Sequence, residues 1–285
     1  MSAAETVVPQ LLVRRVLAEF AGGVLLVFLG ISAMIAVTWV AEPLADWPGG
    51  RYLLSLLLGL AFGYAVTLVV YSPLGRISGQ LNPSFTLVHW MAGWQSARTT
   101  AFYLVAQLVG GALGGAALLV WRARGAEFRY GATVPMPQVS LWIPAVAELV
   151  STMLIALAII AIARGRVTGS WAFHLVPILY GVLAPVAAPL SGLSTNPART
   201  LGPALVADQY EHLWFYFVVP PLGAVLAVLV SPSLWPRNRQ RILPGGDAPN
   251  DDARIPRTEA PRASGGLGDG RTRADRTRAW FRGPD

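Results

Sequence analysis

Six stretches of apolar residues set the strongest limit on how this chain can fold. They cover roughly 15–40, 52–71, 97–121, 142–164, 171–190 and 212–234. A helix of about 20 such residues crosses a hydrocarbon layer ~30 Å thick. Charged residues make up only 13% of the chain, and its mean hydropathy is +0.52. Soluble domains carry about twice that charged fraction. The sequence therefore predicts an all-α integral membrane protein with six transmembrane helices.

Two further apolar segments are too short to span a membrane. They are NPSFTLVHWMAG, which begins at Asn82, and NPARTLGPALVA, which begins at Asn196. Asparagine is a favoured N-cap because its side-chain oxygen accepts a backbone N–H of the first helical turn. Proline suits the next position, where an N–H would have no helical partner. About ten residues at ~1.5 Å each reach only half-way through the hydrocarbon. We therefore predict two re-entrant half-helices, one beginning at each Asn-Pro pair.

The second half of the chain repeats the landmarks of the first half in the same order. LAEF around Glu19 recurs as VAEL around Glu148, and the Asn-Pro-Ser motif recurs as Asn-Pro-Ala. YLVAQLVGG, from Tyr103, matches YFVVPPLGA, from Tyr216. Each half holds three spans and one half-helix, and an odd number of spans turns the second half upside down in the membrane. The sequence thus predicts an inverted repeat. Its two units are predicted at about 12–122 and 141–235.

Arginine placement predicts the orientation of the chain, because cytoplasmic loops carry an excess of basic residues. With the N-terminus in the cytoplasm, nine arginines of the channel region and its immediate flanks lie inside and only four lie outside. The four are Arg51, Arg122, Arg124 and Arg129. Both termini are therefore predicted to be cytoplasmic. Residues 237–285 are rich in Arg, Pro and Gly and poor in aliphatic side chains, which predicts a disordered tail.

Together these features resemble the major intrinsic protein family, which comprises the aquaporins and aquaglyceroporins. The resemblance covers roughly residues 10–235 and rests on the paired Asn-Pro motifs, Arg199, Glu19, Glu148 and AQLVGGALGG in the third span. It implies a channel domain over 1–236 and a homotetramer in the plasma (cell) membrane in which each subunit has its own pore. The implied function is passive passage of water and small uncharged solutes, with protons and ions excluded.

The resemblance also implies a mechanism that agrees with the residues of the two motifs. Asn82 and Asn196 would direct their amide N–H groups at the lumen, because their oxygens are used in capping. The motifs are completed by Pro83, Ser84, Pro197 and Ala198. Each facing helix N-terminus carries about +0.5 charge, which opposes hydronium and metal cations. Arg199 adds a donor and a second barrier to cations, since an arginine inside a membrane needs a wet cavity or a partner.

Four positions at fixed distances from the motifs form the narrowest ring of the pore in this family. Here they fall on Phe62, Ala184, Leu193 and Arg199. Water-selective members usually have His in place of Ala184 and a small polar residue in place of Leu193. This ring is therefore expected to be wider and more apolar, which favours glycerol-like solutes as well as water. Residues that resemble water channels follow the second motif, namely Thr200, Ala204, Tyr216 and Phe217. A strictly water-selective channel stays open as the alternative.

Other functional classes find less support. The chain has no cysteine, and His89, His174 and His212 have no metal-ligand spacing, so neither a metal site nor a cofactor is expected and the chain is not predicted to be an enzyme. Glu19 and Glu148 are interpreted as a scaffold for the re-entrant loops rather than an acid–base pair. The expected partners are water, small neutral solutes, membrane lipid and further copies of the chain, with no nucleic acid. A structural or adhesive protein of the same fold would not need polar donors in a lumen.

Overall fold

The structure is a computed structural model that describes residues 3–234, with side chains from residue 10 onward. In this range the chain forms nine α-helices and no strands. They are α1 (Ala3–Ala41), α2 (Gly50–Tyr71), α3 (Pro83–Met91), α4 (Ala97–Ala117), α5 (Arg122–Glu127), α6 (Trp142–Ala163), α7 (Ser170–Ser191), α8 (Pro197–Val206) and α9 (Leu213–Leu234). Short 3-10 helices lie at Glu42–Asp46, Leu118–Trp121 and Arg129–Gly131.

Six helices are long and apolar enough to cross a membrane, namely α1, α2, α4, α6, α7 and α9. The prediction of an all-α membrane protein with six transmembrane helices is therefore confirmed. The observed bounds differ most at α1, which begins at Ala3 rather than near residue 15. The third span ends as an α-helix at Ala117 and continues to Trp121 as a 3-10 helix. The tail predicted at 237–285 lies outside the described residues.

Corresponding helices of the two halves make corresponding contacts. The first helix of each half packs against the last span of the same half, so that α1 lies on α4 and α6 lies on α9. Each short helix also contacts the last span of the opposite half, α3 against α9 and α8 against α4. Helices α2 and α7 join the two halves. This pattern agrees with the predicted repeat, and it places α3 and α8 inside the bundle.

Two glycines allow close helix crossings, and they lie at matching positions in the two halves. A Cβ atom built on Gly110 would lie 2.3 Å from the carbonyl oxygen of Phe20. One built on Gly223 would lie 2.4 Å from the carbonyl oxygen of Leu149. Phe20 and Leu149 each follow the buried glutamate of their half. Any larger residue would separate α1 from α4 or α6 from α9 and would displace that glutamate.

Candidate functional site

Helices α3 and α8 begin at the two Asn-Pro pairs, and each asparagine caps its own helix. The Oδ1 atom of Asn82 accepts the backbone N–H of Ser84 at 2.9 Å. The Oδ1 atom of Asn196 accepts the N–H groups of Ala198 at 2.9 Å and Arg199 at 3.2 Å. A proline occupies the first helical position in both cases. The side-chain oxygens are therefore used inside the half-helices, whereas the amide N–H groups are directed elsewhere.

Each asparagine amide bonds to the opposite half of the molecule. Asn82 Nδ2 donates to the carbonyl oxygen of Thr195 at 3.0 Å, and Asn196 Nδ2 donates to that of Leu81 at 3.1 Å. Leu81 and Thr195 are the residues immediately before the two asparagines. The N-termini of α3 and α8 therefore meet inside the bundle. An amide nitrogen carries two hydrogens, so each asparagine keeps a second N–H beyond this bond.

Leu81 and Thr195 adopt the left-handed backbone conformation, with φ angles of 53° and 55°. Residues other than glycine rarely do so, at a cost of roughly 1–3 kcal/mol each. The conformation turns each carbonyl toward the opposite asparagine and each N–H toward a carboxylate. Leu81 N–H donates to Glu19 Oε2 at 2.7 Å, and Thr195 N–H donates to Glu148 Oε1. These charge-assisted hydrogen bonds offset the backbone strain.

Glu19 is fully buried and accepts hydrogen bonds from four groups. Besides Leu81 N–H, they are the Ser78 hydroxyl, the Gln80 N–H at 2.9 Å and the Gln107 amide at 2.6 Å. The donors come from the loop before α3 and from α4. This geometry suits a group that holds a loop, because its acceptor positions are occupied by the protein.

Glu148 is also fully buried, and it holds the loop before α8 in a similar way. It accepts the Ser191 hydroxyl at 2.7 Å and the Ser194 N–H at 3.2 Å, in addition to the bond from the residue before Asn196. Pro220 occupies the position of α9 that corresponds to Gln107 of α4, and proline has no side-chain donor. Instead, the Tyr216 hydroxyl donates to the carbonyl oxygen of Ser191 at 2.6 Å.

Arg199 is the third residue of α8 and is only 3% exposed. Its Nη1 donates to the carbonyl oxygen of Gly131 at 2.7 Å, and its Cζ lies 5.4 Å from the centre of the Phe62 ring. Among residues 10–234, no carboxylate pairs with the guanidinium and no protein group accepts its Nε. A buried cation without a carboxylate in direct contact, placed at the positive end of a helix, is stabilised where water or a polar solute can reach it.

The four residues of the predicted ring are all buried, with exposures of 4% for Phe62, 3% for Ala184, 6% for Leu193 and 3% for Arg199. The structure brings Phe62 and Arg199 into contact. It directs Ala184 toward α2, where a Cβ atom built on Gly59 would lie 2.8 Å from the Ala184 Cβ. Leu193 lies in the segment between α7 and α8, and it belongs with Phe62 and Ala184 to one continuous cluster of apolar side chains.

The connection between α5 and α6 contributes to the site, which sequence reasoning missed. Gly131 supplies the carbonyl that holds the Arg199 guanidinium. Thr133 and Thr200 share a hydrogen bond between their hydroxyls at 2.8 Å, which ties the same connection to α8. A backbone carbonyl in a loop has no residue-type signal, so a single sequence offers no way to find it.

A family model described as Major intrinsic protein matches residues 6–231. The chain belongs to the major intrinsic protein family. This confirms the family predicted from the sequence, and it makes the chain an integral membrane protein with six apolar helices. Relatives in this family are channels rather than enzymes, which agrees with the prediction that the chain is not an enzyme.

Individual relatives of the major intrinsic protein family match along most of their length. Aquaporin AqpM of Methanothermobacter marburgensis is 32% identical over 244 residues, which are 76% of this chain and 96% of that protein. Glycerol uptake facilitator protein-like 6 of Lactiplantibacillus plantarum is 29% identical over 75% of this chain and 94% of that protein. The X-ray structure of the aquaglyceroporin from Plasmodium falciparum aligns with a TM-score of 0.60 and 21% identity, over 77% of this chain and 95% of that one. That structure shares the fold.

Proposed function

We propose that the protein is a passive channel for water and small uncharged solutes that excludes protons and ions. The observation that carries this function is the meeting of the α3 and α8 N-termini, with Arg199 close by and no carboxylate paired with it among the described residues. The second N–H groups of Asn82 and Asn196 can donate to the oxygen of a neutral solute. The two helix N-termini repel cations where they meet, and the guanidinium repels them at a second point close by.

Phe62, Ala184, Leu193 and Arg199 are proposed to line the narrowest ring, and Glu19 and Glu148 to hold the two loops in place. An apolar ring with one cation suits a solute that has both a carbon chain and hydroxyl groups. The names of the relatives support both solute classes, since they include aquaporins and a glycerol uptake facilitator protein. Strict water selectivity is the second candidate, and it is favoured by the contact of Phe62 with Arg199, which narrows the ring.

The channel is further proposed to be a homotetramer in the plasma membrane with both termini in the cytoplasm. Large apolar side chains are exposed on the outer faces of three spans, as expected for surfaces that contact lipid or neighbouring subunits. Examples are Leu68, Val105 and Val186, which are 61%, 62% and 68% exposed. Reporter tags at the two ends test the orientation, and native mass spectrometry in detergent tests the tetramer. An external C-terminus or a stable monomer would contradict this arrangement.

The experiment for the function is a stopped-flow assay on proteoliposomes. We expect faster osmotic water flux than in empty liposomes, measurable uptake of glycerol and urea, and no added proton flux with a pH-sensitive dye inside the vesicles. Water flux without glycerol uptake would select strict water selectivity. Water flux equal to that of empty liposomes would instead support a protein of this fold that does not transport.

A further inference from the structure

We propose that Tyr180 forms a second constriction, between Arg199 and the two asparagines, and that its phenol adds a second limit on the size of the solutes that pass. The inference rests on the proposed channel function and extends it. Tyr180 lies on α7 one helical turn before Ala184, on the same face of the helix. It is 4% exposed, and none of the sequence patterns pointed to it.

The packing of α7 against α2 determines where the ring of Tyr180 can lie. A Cβ atom built on Gly59 would lie 2.3 Å from the Tyr180 carbonyl oxygen, and one built on Gly63 would lie 3.2 Å from the Tyr180 Cβ. The two backbones are therefore too close to hold an aromatic ring between them. The ring turns instead toward Phe62, with the ring centres 5.2 Å apart and the planes at 72°.

Phe62 thus contacts two different groups of the site. Its ring meets the Arg199 guanidinium at 5.4 Å and the Tyr180 ring at 5.2 Å. The Ala184 side chain is only a methyl group, and it faces Gly59 of α2, whereas the Tyr180 phenol lies against Phe62 one turn earlier on α7. We therefore place a second narrow point at Tyr180, one helical turn from the ring that contains Ala184.

The Tyr180 hydroxyl has a definite hydrogen-bonding role. It lies 2.6 Å from the Thr195 hydroxyl oxygen, which itself donates to the carbonyl oxygen of Ser194 at 2.7 Å. A hydroxyl has one hydrogen, so Thr195 must accept from Tyr180 and the phenol must be the donor. The phenol oxygen keeps its lone pairs, and it is an acceptor for any other group that approaches.

This acceptor lies between two sets of donors. The carbonyl of Thr195 receives the Asn82 amide at 3.0 Å, which places the phenol beside the meeting point of the half-helices. On the other side, Phe62 links the phenol to Arg199. A solute with hydroxyl groups therefore meets the Arg199 donor first, then the phenol acceptor, and then the asparagine amide donors. Small linear polyols have this alternation, and the phenol limits how large they can be.

The test uses proteoliposomes of the full chain with water, glycerol and the longer polyol erythritol as solutes. Tyr180→Val removes the ring, and we expect the ratio of glycerol to water permeability to rise roughly tenfold. That factor is the lower end of the discrimination that one methylene group produces in a selective pocket. Erythritol uptake should become measurable. Tyr180→Phe keeps the ring and removes the acceptor, so it should lower water flux without admitting erythritol.

The matched control is Tyr64→Phe, which removes another hydrogen bond between α2 and α7, between the Tyr64 hydroxyl and His174 Nδ1 at 3.0 Å. It should leave the permeability ratios as in the wild type. If Tyr180→Val does not assemble, Tyr180→Trp decides the matter, because a larger ring should lower glycerol uptake more than water flux. If the ratio of glycerol to water permeability is unchanged in a conducting Tyr180→Val or Tyr180→Trp variant, the role of Tyr180 is overturned but the channel function is not. A wild-type protein that conducts no water would overturn the channel function itself.

Discussion

Asn82 and Asn196 are linked by a reciprocal pair of hydrogen bonds, in which each amide donates to the carbonyl just before the other asparagine. The two distances are nearly equal, 3.0 Å from Asn82 Nδ2 to Thr195 O and 3.1 Å from Asn196 Nδ2 to Leu81 O. Each half-helix is therefore positioned by the other. The two hydrogen bonds join residues that are separated by 113 and 115 positions along the chain, so distant parts of the sequence form one site.

We expect the two asparagines to contribute to stability as a unit. Replacing either with Ala removes a helix cap, at about 1 kcal/mol, and a cross-bond of similar size. Asn82→Ala and Asn196→Ala should therefore each lower the unfolding temperature in detergent. In the double variant, the decrease in unfolding temperature should be smaller than the sum of the two single decreases. Ser96→Ala removes the Ser96 cap of α4 and is the control, since its effect should add to that of Asn196→Ala. Simple additivity of the two asparagine variants would contradict the coupling.

Glu19→Gln and Glu148→Gln should destabilise the protein. Each would replace one acceptor oxygen with an NH₂ group that faces N–H or O–H donors. Losing a charge-assisted hydrogen bond costs about 1.5–3 kcal/mol. Glu127→Gln, at an exposed glutamate, should leave the unfolding temperature unchanged. A variant of Glu19 or Glu148 with normal stability and altered proton flux would support an acid–base role in place of the scaffold.

Arg199→Ala should increase the leak of protons and cations. The guanidinium is unpaired with any carboxylate in the described residues, and a unit charge at ~4 Å is worth about 4 kcal/mol at an effective dielectric near 20. That is enough to change a leak by orders of magnitude, although the helix N-termini remain as a barrier. Arg124→Ala removes an exposed cation and is the control. Proton flux in proteoliposomes is the measurement, and equal flux in the two variants would mean that Arg199 is not a barrier.

Ala184→His should lower glycerol flux far more than water flux. The imidazole would narrow the ring and add a polar group close to Phe62. Val186→His provides the control, because Val186 lies on the same helix and is exposed on its outer face. Comparing the ratio of glycerol to water permeability in the two variants measures the effect. If the ratio stays unchanged in Ala184→His, the size limit is not set at Ala184.

The sequence by itself determined the membrane class, the six spans, the two short helices and the family. These depend on properties that lie within one stretch of chain, such as the length of an apolar run or the capping ability of an Asn-Pro pair. The internal repeat also indicated that the two motifs belong to one site. Arg199 was identifiable because a lone cation inside an apolar region needs an explanation.

Only the tertiary structure decided how these parts bond to each other. The left-handed backbones of Leu81 and Thr195, the carbonyl of Gly131 and the contacts of Tyr180 appear in no sequence pattern. Each depends on groups that are far apart along the chain, and several of those groups are backbone atoms that every residue possesses. What these groups can bind depends on where the packed helices place them. The linear sequence does not give those positions.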